Sequence, residues 1–302
     1  MIWDSSTTYW MRPDTKILSC KRKIRTDSLM AAWRVLDFQR YNAFENMAID
    51  EAIFHETIKN KKPPTIRFYG WHPAAVSIGY FQDINKEVNV EHCRKDGVDI
   101  VRRPSGGKAV FHCSEVTYSV MACNTEESFP PDILGTYKII SNCIAGGLAC
   151  LGIQAVLAET GRSLQDDDFK ACCFSMPSRN ELLVSGRKIC GSAQMRSGGG
   201  FLQHGSILTD FDPVRTASLL LPMRNDWQLQ KLKDSVTTIN EEIGLPVDEN
   251  EICTSLKRSF TEVLGREITE GTLTSAEKEL ATRLIQKYAD LRWFRDRKKG
   301  PF

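Results

Sequence analysis

The chain has 302 residues, 41% of them apolar, enough to fill one large core or one core with a small appendage. Its 40 basic residues nearly balance 38 acidic ones, which leaves no bulk field for gripping a polyanion such as nucleic acid. No apolar run reaches the roughly 18 residues of a membrane span, and no signal-type leader is visible, so the composition predicts a cytoplasmic globular protein.

Residues 1–29 mix polar, basic and aromatic side chains without a period. They read as a disordered or non-native extension ahead of a natural start at Met30; a transit peptide is the alternative, against which Asp4, Asp14 and Asp27 count. "MAAWRVLDF" then reads as a strand. Asn42 is a good helix cap, with Glu45 completing a capping box, and Phe44, Met47, Ala48 and Ala52 share a face. "TIRFYGW", "AAVSIGYFQ", "DIVRRPSGGKAVFH" and "EVTYSVMAC" read as four successive strands. A buried helix is expected over 133–150. "NELLV", the turn Ser185-Gly186 and "RKICGSAQ" spell a hairpin, and "LQHGSILTDF" adds a strand. From Pro246 the pattern is helical. Asp248 pairs with Glu251 as a cap, Ile252, Leu256, Phe260 and Val263 form a stripe, and Gly265 closes it. Thr274 and Glu277 open a last helix through Leu280, Leu284, Tyr288 and Leu291. Irregular alternation of strands, hairpins and helices predicts an α+β fold, with mixed or antiparallel sheets, flanking helices and a helical C-terminal segment.

Ten cysteines are present, none in a C-x-x-C pair or at zinc spacing to histidines. Cys143, Cys150 and Cys190 fall within apolar runs, where cysteine acts as a small hydrophobe. A chain of this size does not need disulfide staples, which fits a reducing compartment.

Four segments could carry chemistry. In "RRPSGGKAVFH", Gly106 and Gly107 let a ligand approach the backbone, and Arg102 and Arg103 bring fixed charge. The same letters also describe a hairpin turn with solvated arginines, and the P-loop spacing is absent. In "GRKICGSAQMR", Lys188 lies in a half-buried strand, either snorkelling to water or pointing into a site beside the small residues Gly191, Ser192 and Ala193. In "LQHGSILTD", His204 stands alone, as structural histidines often do. In "KACCFSMPS", Cys172 and Cys173 are adjacent; they read as buried structural residues or as a reactive thiol. A nearby cation such as Lys188, fifteen residues beyond Cys173, would lower the thiol from its usual pKa of about 8.5.

Taken in order, "NMAIDEAIF", "TIRFYGWHPAAVSIGYFQD", "RRPSGGKAVFH", "ACCFSMPSRNELLVSGRKICGSAQ" and "LQHGSI" resemble the biotin/lipoate protein ligase and lipoyl transferase family over roughly residues 31 to 300. The resemblance implies a catalytic domain over 31–245 with a C-terminal helical segment over 246–302 packed on it. Where ATP-dependent ligases of that family carry a third loop glycine, this chain has Lys108, and where they have aspartate after the histidine it has Cys113. The lysine resembles the octanoyltransferase branch, which uses a cysteine and no ATP, and the lost aspartate weakens the ligase reading further.

The resemblance implies Cys173 as nucleophile and Lys188 as the group that lowers its pKa, with Cys172 packing behind. It implies a pocket lined by Arg103, Ser105, Gly106, Gly107, His112, Gly191, Ser192, Ala193 and His204, with backbone N–H groups near Gly106, Gly107 and Gly191 facing the oxyanion. Val110, Phe111 and Phe174 are expected walls of an acyl tunnel. The implied donor is octanoyl-acyl carrier protein, and the acceptor is a lysine of a lipoyl domain, such as the glycine cleavage H protein. No cofactor, metal, nucleic acid or membrane is expected, and the protein is expected to be a monomer. An ATP-dependent lipoate ligase, a lipoyl-domain-to-lipoyl-domain amidotransferase and a non-catalytic acyl-binding module are the alternatives. The cationic tail "LRWFRDRKKG" reads either as a docking aid for acidic partners or as a solvated terminus.

Overall fold

The computed structural model describes residues 32–158, 181–220, 225–290 and Trp293. The extension over 1–29, the Cys172–Phe174 segment, Leu291 and the terminal tail lie outside the described residues.

The α+β expectation holds. β1 (Trp33–Tyr41) leads into α1 (Ala43–Lys59), where Asn42 and Glu45 form the expected reciprocal capping box. β2 (Thr65–Trp71) returns parallel to β1, as a strand–helix–strand crossover allows. β3 (Ala75–Ile78), the short helices α2 (Ile84–Glu87) and α3 (Val90–Lys95), β4 (Asp99–Arg102), β5 (Val110–His112) and β6 (Glu115–Cys123) follow. Next come α4 (Ile133–Cys150), β7 (Val156–Leu157), β8 (Leu182–Val184), β9 (Arg187–Ser197) and β10 (Gly200–Leu208). Three short helices, α5 (Pro213–Leu219), α6 (Asp226–Ser235) and α7 (Ile239–Ile243), precede α8 (Glu249–Leu264), β11 (Ile268–Gly271) and α9 (Ser275–Ala289).

Eight strands form one mixed sheet in the order β11-β1-β2-β6-β10-β9-β8-β7, and three form a second in the order β4-β3-β5. "DIVRRPSGGKAVFH" is therefore two strands rather than one. Pro104 and the glycines break it into β4 and β5, which lie on opposite sides of β3 with the loop 103–109 between them. The Ser185-Gly186 turn has positive φ at both residues, 50° and 82°, the geometry a tight two-residue hairpin needs.

Several local expectations need correction. The C-terminal segment is not only helical, because β11 pairs in parallel with β1 at the edge of the large sheet. Its four residues are too short and too polar to announce a strand. Asp248 caps α8 through the Asn250 N–H, one residue short of Glu251, and Val263 faces solvent while Ile252, Leu256 and Phe260 are buried. Cys143 and Cys190 are buried, but Cys150 ends α4 on the exposed side.

The apolar α4 spans Ile133–Cys150 as expected, and its 18 residues are long enough to cross a membrane by length and composition. Its Ile140, Cys143, Ile144 and Leu148 instead enter the main core with Ile252, Leu256 and Phe260 of α8 and the inner residues of β2, β6 and β10. α1 is buried on its polar side as well as its apolar one, since Asn46, Asp50 and Glu51 are inaccessible. α9 covers it: Lys287 Nζ lies 2.7 Å from Glu51 Oε2, and the Tyr288 hydroxyl donates to the same oxygen.

Candidate active site

The two sheets face each other across a cavity of about 260 Å³. The large sheet contributes Tyr69 and Trp71 of β2, Thr117 of β6, Lys188 and Gly191–Ala193 of β9, and His204–Ser206 of β10. The small sheet contributes Ser77, Val110 and His112, and the loop between β4 and β5 adds Arg103, Gly107 and Lys108. Eight of the expected pocket residues thus line one cavity: Arg103, Gly107, His112, Lys188, Gly191, Ser192, Ala193 and His204.

The tandem arginines are not solvated. Arg102 Nη1 donates to the carbonyls of Gly79, Tyr80 and Gln82. Arg103 donates to Ser77 O and Oγ and, from Nη2, to Gly106 O at 2.9 Å and Lys108 O at 2.6 Å. The guanidinium fork suits this task, because its five donors satisfy a loop that has no ladder of its own. Gly107 adopts φ 91°, and a Cβ on Gly79 would lie 2.0 Å from Gly107 O, so the two loops touch backbone to backbone. Ser105 sits behind the wall with its Oγ 2.5 Å from His204 Nε2, and Gly106 lends its carbonyl to Arg103.

Behind His204 lies a polar network that the sequence did not announce. Asp50 of α1 receives Arg67 Nη1 at 2.7 Å, Ser119 Oγ at 2.9 Å and the Tyr69 hydroxyl at 2.9 Å. Its second oxygen is 3.9 Å from His204 Nδ1. Burial alone would raise the Asp50 carboxyl; the Arg67 charge and His204 outweigh it and hold the pKa below the usual value. Burial pushes the His204 imidazole down, against the pull of Asp50, so it is neutral near pH 7.

His112 is held as firmly. It stacks on Trp71 with ring centroids 4.1 Å apart, its Nε2 is 2.7 Å from Ser77 Oγ, and its Nδ1 is 2.8 Å from Glu115 Oε1. Trp71, Thr117 and Ser206 donate to the same Glu115 oxygen. Burial would raise the Glu115 carboxyl, yet neighbouring His112 and these hydrogen bonds hold it low.

Lys188 points into the cavity rather than to water, with its residue only 3% exposed. Its Nζ lies 2.6 Å from Glu181 Oε1. The strand partners step from Lys188 opposite Leu183 to Cys190 opposite Leu182, leaving Ile189 as a bulge residue. Such bulges re-aim a side chain without ending the sheet. Ser192 is fixed by the Tyr118 hydroxyl at 2.7 Å.

Of the expected acyl walls, Val110 lines the cavity and Phe111 does not. Strand alternation turns Phe111 to the outer face, against Val76 and Ile78, with Arg215 over its ring. Phe174 and the two expected thiols, Cys172 and Cys173, lie outside the described residues. The sequence reading missed Glu181, Asp50, Arg67 and Glu115. The available signal was charge in the wrong place: an acidic pair inside an apolar helix, and Arg67 in the otherwise apolar "TIRFYGW".

Two sheets thus enclose a cavity with a buried lysine and a glycine-bearing arginine loop on its walls. The chain belongs to the lipoyl protein ligase A/B catalytic domain family, which it matches over residues 42–261. It is 41% identical over 268 residues to the octanoyltransferase LipM of Symbiobacterium thermophilum, covering 86% of this chain and 97% of that protein. It is 37% identical over 270 residues to the octanoyltransferase LipM of Bacillus subtilis, with the same coverage of 86% and 97%. Among solved structures, lipoate-protein ligase A bound with ATP superposes with a TM-score of 0.72 at 26% identity, covering 87% of this chain and 98% of that one. The bipartite lipoate protein ligase of Thermoplasma acidophilum gives a TM-score of 0.72 at 26% identity, covering 87% and 96%.

Proposed function

We propose that this protein is an octanoyltransferase of lipoate biosynthesis, moving octanoyl from octanoyl-acyl carrier protein to a lysine of a lipoyl domain such as the glycine cleavage H protein. The observation that carries the reading is Lys188 inside the cavity, in a chain that matches octanoyltransferases over nearly their whole length. In this reading residues 31–245 form the transfer unit, 246–302 pack on it, and the enzyme acts as a cytoplasmic monomer.

The chemistry has two steps. The Cys173 thiolate attacks the donor thioester carbonyl; the new carbon–sulfur bond forms, the old one breaks, and the carrier leaves as its thiol. The acceptor amine then attacks the enzyme thioester, the amide bond forms, the cysteine leaves as a thiol, and the surplus amine proton passes to the site or to water. Splitting the transfer into two nucleophilic steps avoids holding two bulky proteins at one carbonyl. The Lys188 ammonium favours the thiolate and faces the developing oxyanion, with backbone N–H groups at Gly106, Gly107 and Gly191 completing that stabilisation. Arg103, Ser105, His112, Ser192, Ala193 and His204 shape the acyl site, and Val110 borders the alkyl chain. Thioester exchange is close to balanced, so ATP is not required; amide formation then draws the reaction forward.

The test is intact mass after mixing enzyme with octanoyl-acyl carrier protein, without ATP or acceptor, for the wild type, Cys173→Ala and Cys172→Ala. An adduct on the wild type and Cys172→Ala, absent from Cys173→Ala, is the expected result. Loss only in Cys172→Ala moves the nucleophile by one residue. No adduct anywhere, with turnover of free octanoate or lipoate on adding ATP, replaces the reading with the ligase. An adduct formed from an octanoylated lipoyl domain but not from the carrier protein makes the enzyme an amidotransferase.

A further inference from the structure

Glu181 is the one carboxylate among the described residues that line the cavity, whereas Arg103, Lys108 and Lys188 all bring positive charge to it. Its oxygen lies 2.6 Å from Lys188 Nζ, and both side chains are almost inaccessible, 6% and 4% exposed. The fold makes the pairing. Glu181 is two residues ahead of Leu183, the strand partner of Lys188. Side chains two apart on an extended segment share a face, so the hairpin lays the carboxylate over the ammonium. The space under the lysine is provided by Gly191, where any Cβ would collide with Lys188 Cε and Nζ.

Two forces act to discharge a lysine in that position: burial, and the like charge of its neighbours. Among the described residues, the charged and titratable groups around it are Arg103 and Lys108 from the loop, His112 from β5, His204 from β10 and the buried Cys190 thiol two residues along β9, none of them a carboxylate. Tyr137 of α4 also lies within the field of Glu181. Among the described residues that line the cavity, Glu181 is the carboxylate that opposes the discharge.

We infer that Glu181 is a positioning residue for the transfer: its carboxylate holds the Lys188 ammonium over Gly191, inside the cavity and in charged form. The inference rests on the proposed function above. It has a chemical consequence beyond geometry. A neutral Lys188 amine beside an enzyme-bound thioester is itself a nucleophile. Its nitrogen would take the acyl carbon, the carbon–sulfur bond would break, the proton would pass to the sulfur, and a dead-end octanoyl amide would remain on the enzyme. Glu181 therefore protects the acyl group for the external acceptor.

The experiment compares wild type, Glu181→Gln, Glu181→Asp and the double variant Glu181→Gln/Lys188→Arg. Each is acylated with octanoyl-acyl carrier protein across pH, then treated with hydroxylamine, which cleaves thioesters and spares amides. The wild type is expected to give only a hydroxylamine-labile adduct. Glu181→Gln is expected to move the alkaline limb of the acylation profile about one to three units lower. It is also expected to build up a hydroxylamine-resistant adduct that peptide mapping places on Lys188. Glu181→Asp restores the labile adduct, and the double variant lacks the resistant one. A Glu181→Gln enzyme that acylates with the wild-type profile and gives no resistant adduct overturns the inference and leaves the transferase reading intact. A wild type that takes up no acyl group from the carrier overturns both.

Discussion

Lys188 occupies the space that Gly191 leaves empty: a Cβ on residue 191 would lie 2.7 Å from the lysine Cε and 2.8 Å from its Nζ. The glycine is therefore a packing requirement of the lysine, three residues along the same strand. Gly191→Ala is expected to displace the ammonium by about an ångström and to slow acyl-enzyme formation about a hundredfold. The circular dichroism spectrum should be unchanged. Single-turnover acylation followed by mass checks it; a wild-type rate would mean that the ammonium tolerates relocation.

The buried ion pair of Asp50 and Arg67 ties α1 to β2 beneath the site. Removing one partner strands the other charge away from water, which costs about 3–5 kcal/mol. Asp50→Ala should lower the unfolding free energy by that amount, read from urea denaturation. It should also release His204, visible as a changed imidazole signal in NMR.

Arg103 is the clasp of the 103–109 loop through its bonds to Ser77, Gly106 and Lys108. Lysine has one donor centre and no fork, so Arg103→Lys leaves loop carbonyls unsatisfied. The expected outcome is faster proteolysis within 103–109 and a loss of acylation about tenfold or more. Gly79→Ala should have the same effect through a different atom, because its Cβ meets Gly107 O. Time-resolved proteolysis with fragment mapping distinguishes a loosened loop from global unfolding.

Acid should weaken the fold in two stages. His204 has a folded pKa depressed below 6.5, so the unfolded chain binds a proton that the folded chain refuses once the pH falls below about 6.5. Asp50 and Glu115 have folded values below 3.8 and 4.5; their stabilisation is complete above those values and is lost as the pH falls through the folded ones. Urea midpoints should fall from pH 7 to 5 and then more steeply below pH 4.5. His204→Gln should remove the first decline and keep the second.

The elements with strong local codes were legible in the sequence. The Asn42–Glu45 and Thr274–Glu277 boxes, the Ser185-Gly186 turn and the run Glu115–Cys123 all sit where pattern and capping rules place them. Lys188 was read as a choice between solvent and site, and the structure places it in the cavity wall. What escaped was decided by partners far along the chain. Ile268–Gly271 is a strand because β1 offers it an edge. Asp50 can be buried only because Arg67, Tyr69 and Ser119 arrive from two strands. Glu181 looked like the polar start of a hairpin, and becomes a cavity residue only once Lys188 is aimed inward by the bulge. Phe111 was misplaced because β5 is three residues long, too short for its alternation to be phased from sequence.

The parallel pairing of β11 with β1 also bears on biosynthesis. The Thr269 hydroxyl bonds to the Trp33 carbonyl across 236 residues of chain. A nascent polypeptide leaving the ribosome thus exposes the outer edge of β1 until almost its last helix has been made. Contacts of such separation slow folding, and unpaired strand edges recruit other chains. Truncation of the gene before codon 268 should therefore yield an aggregating product rather than a smaller enzyme, even though every described residue that lines the cavity precedes that point.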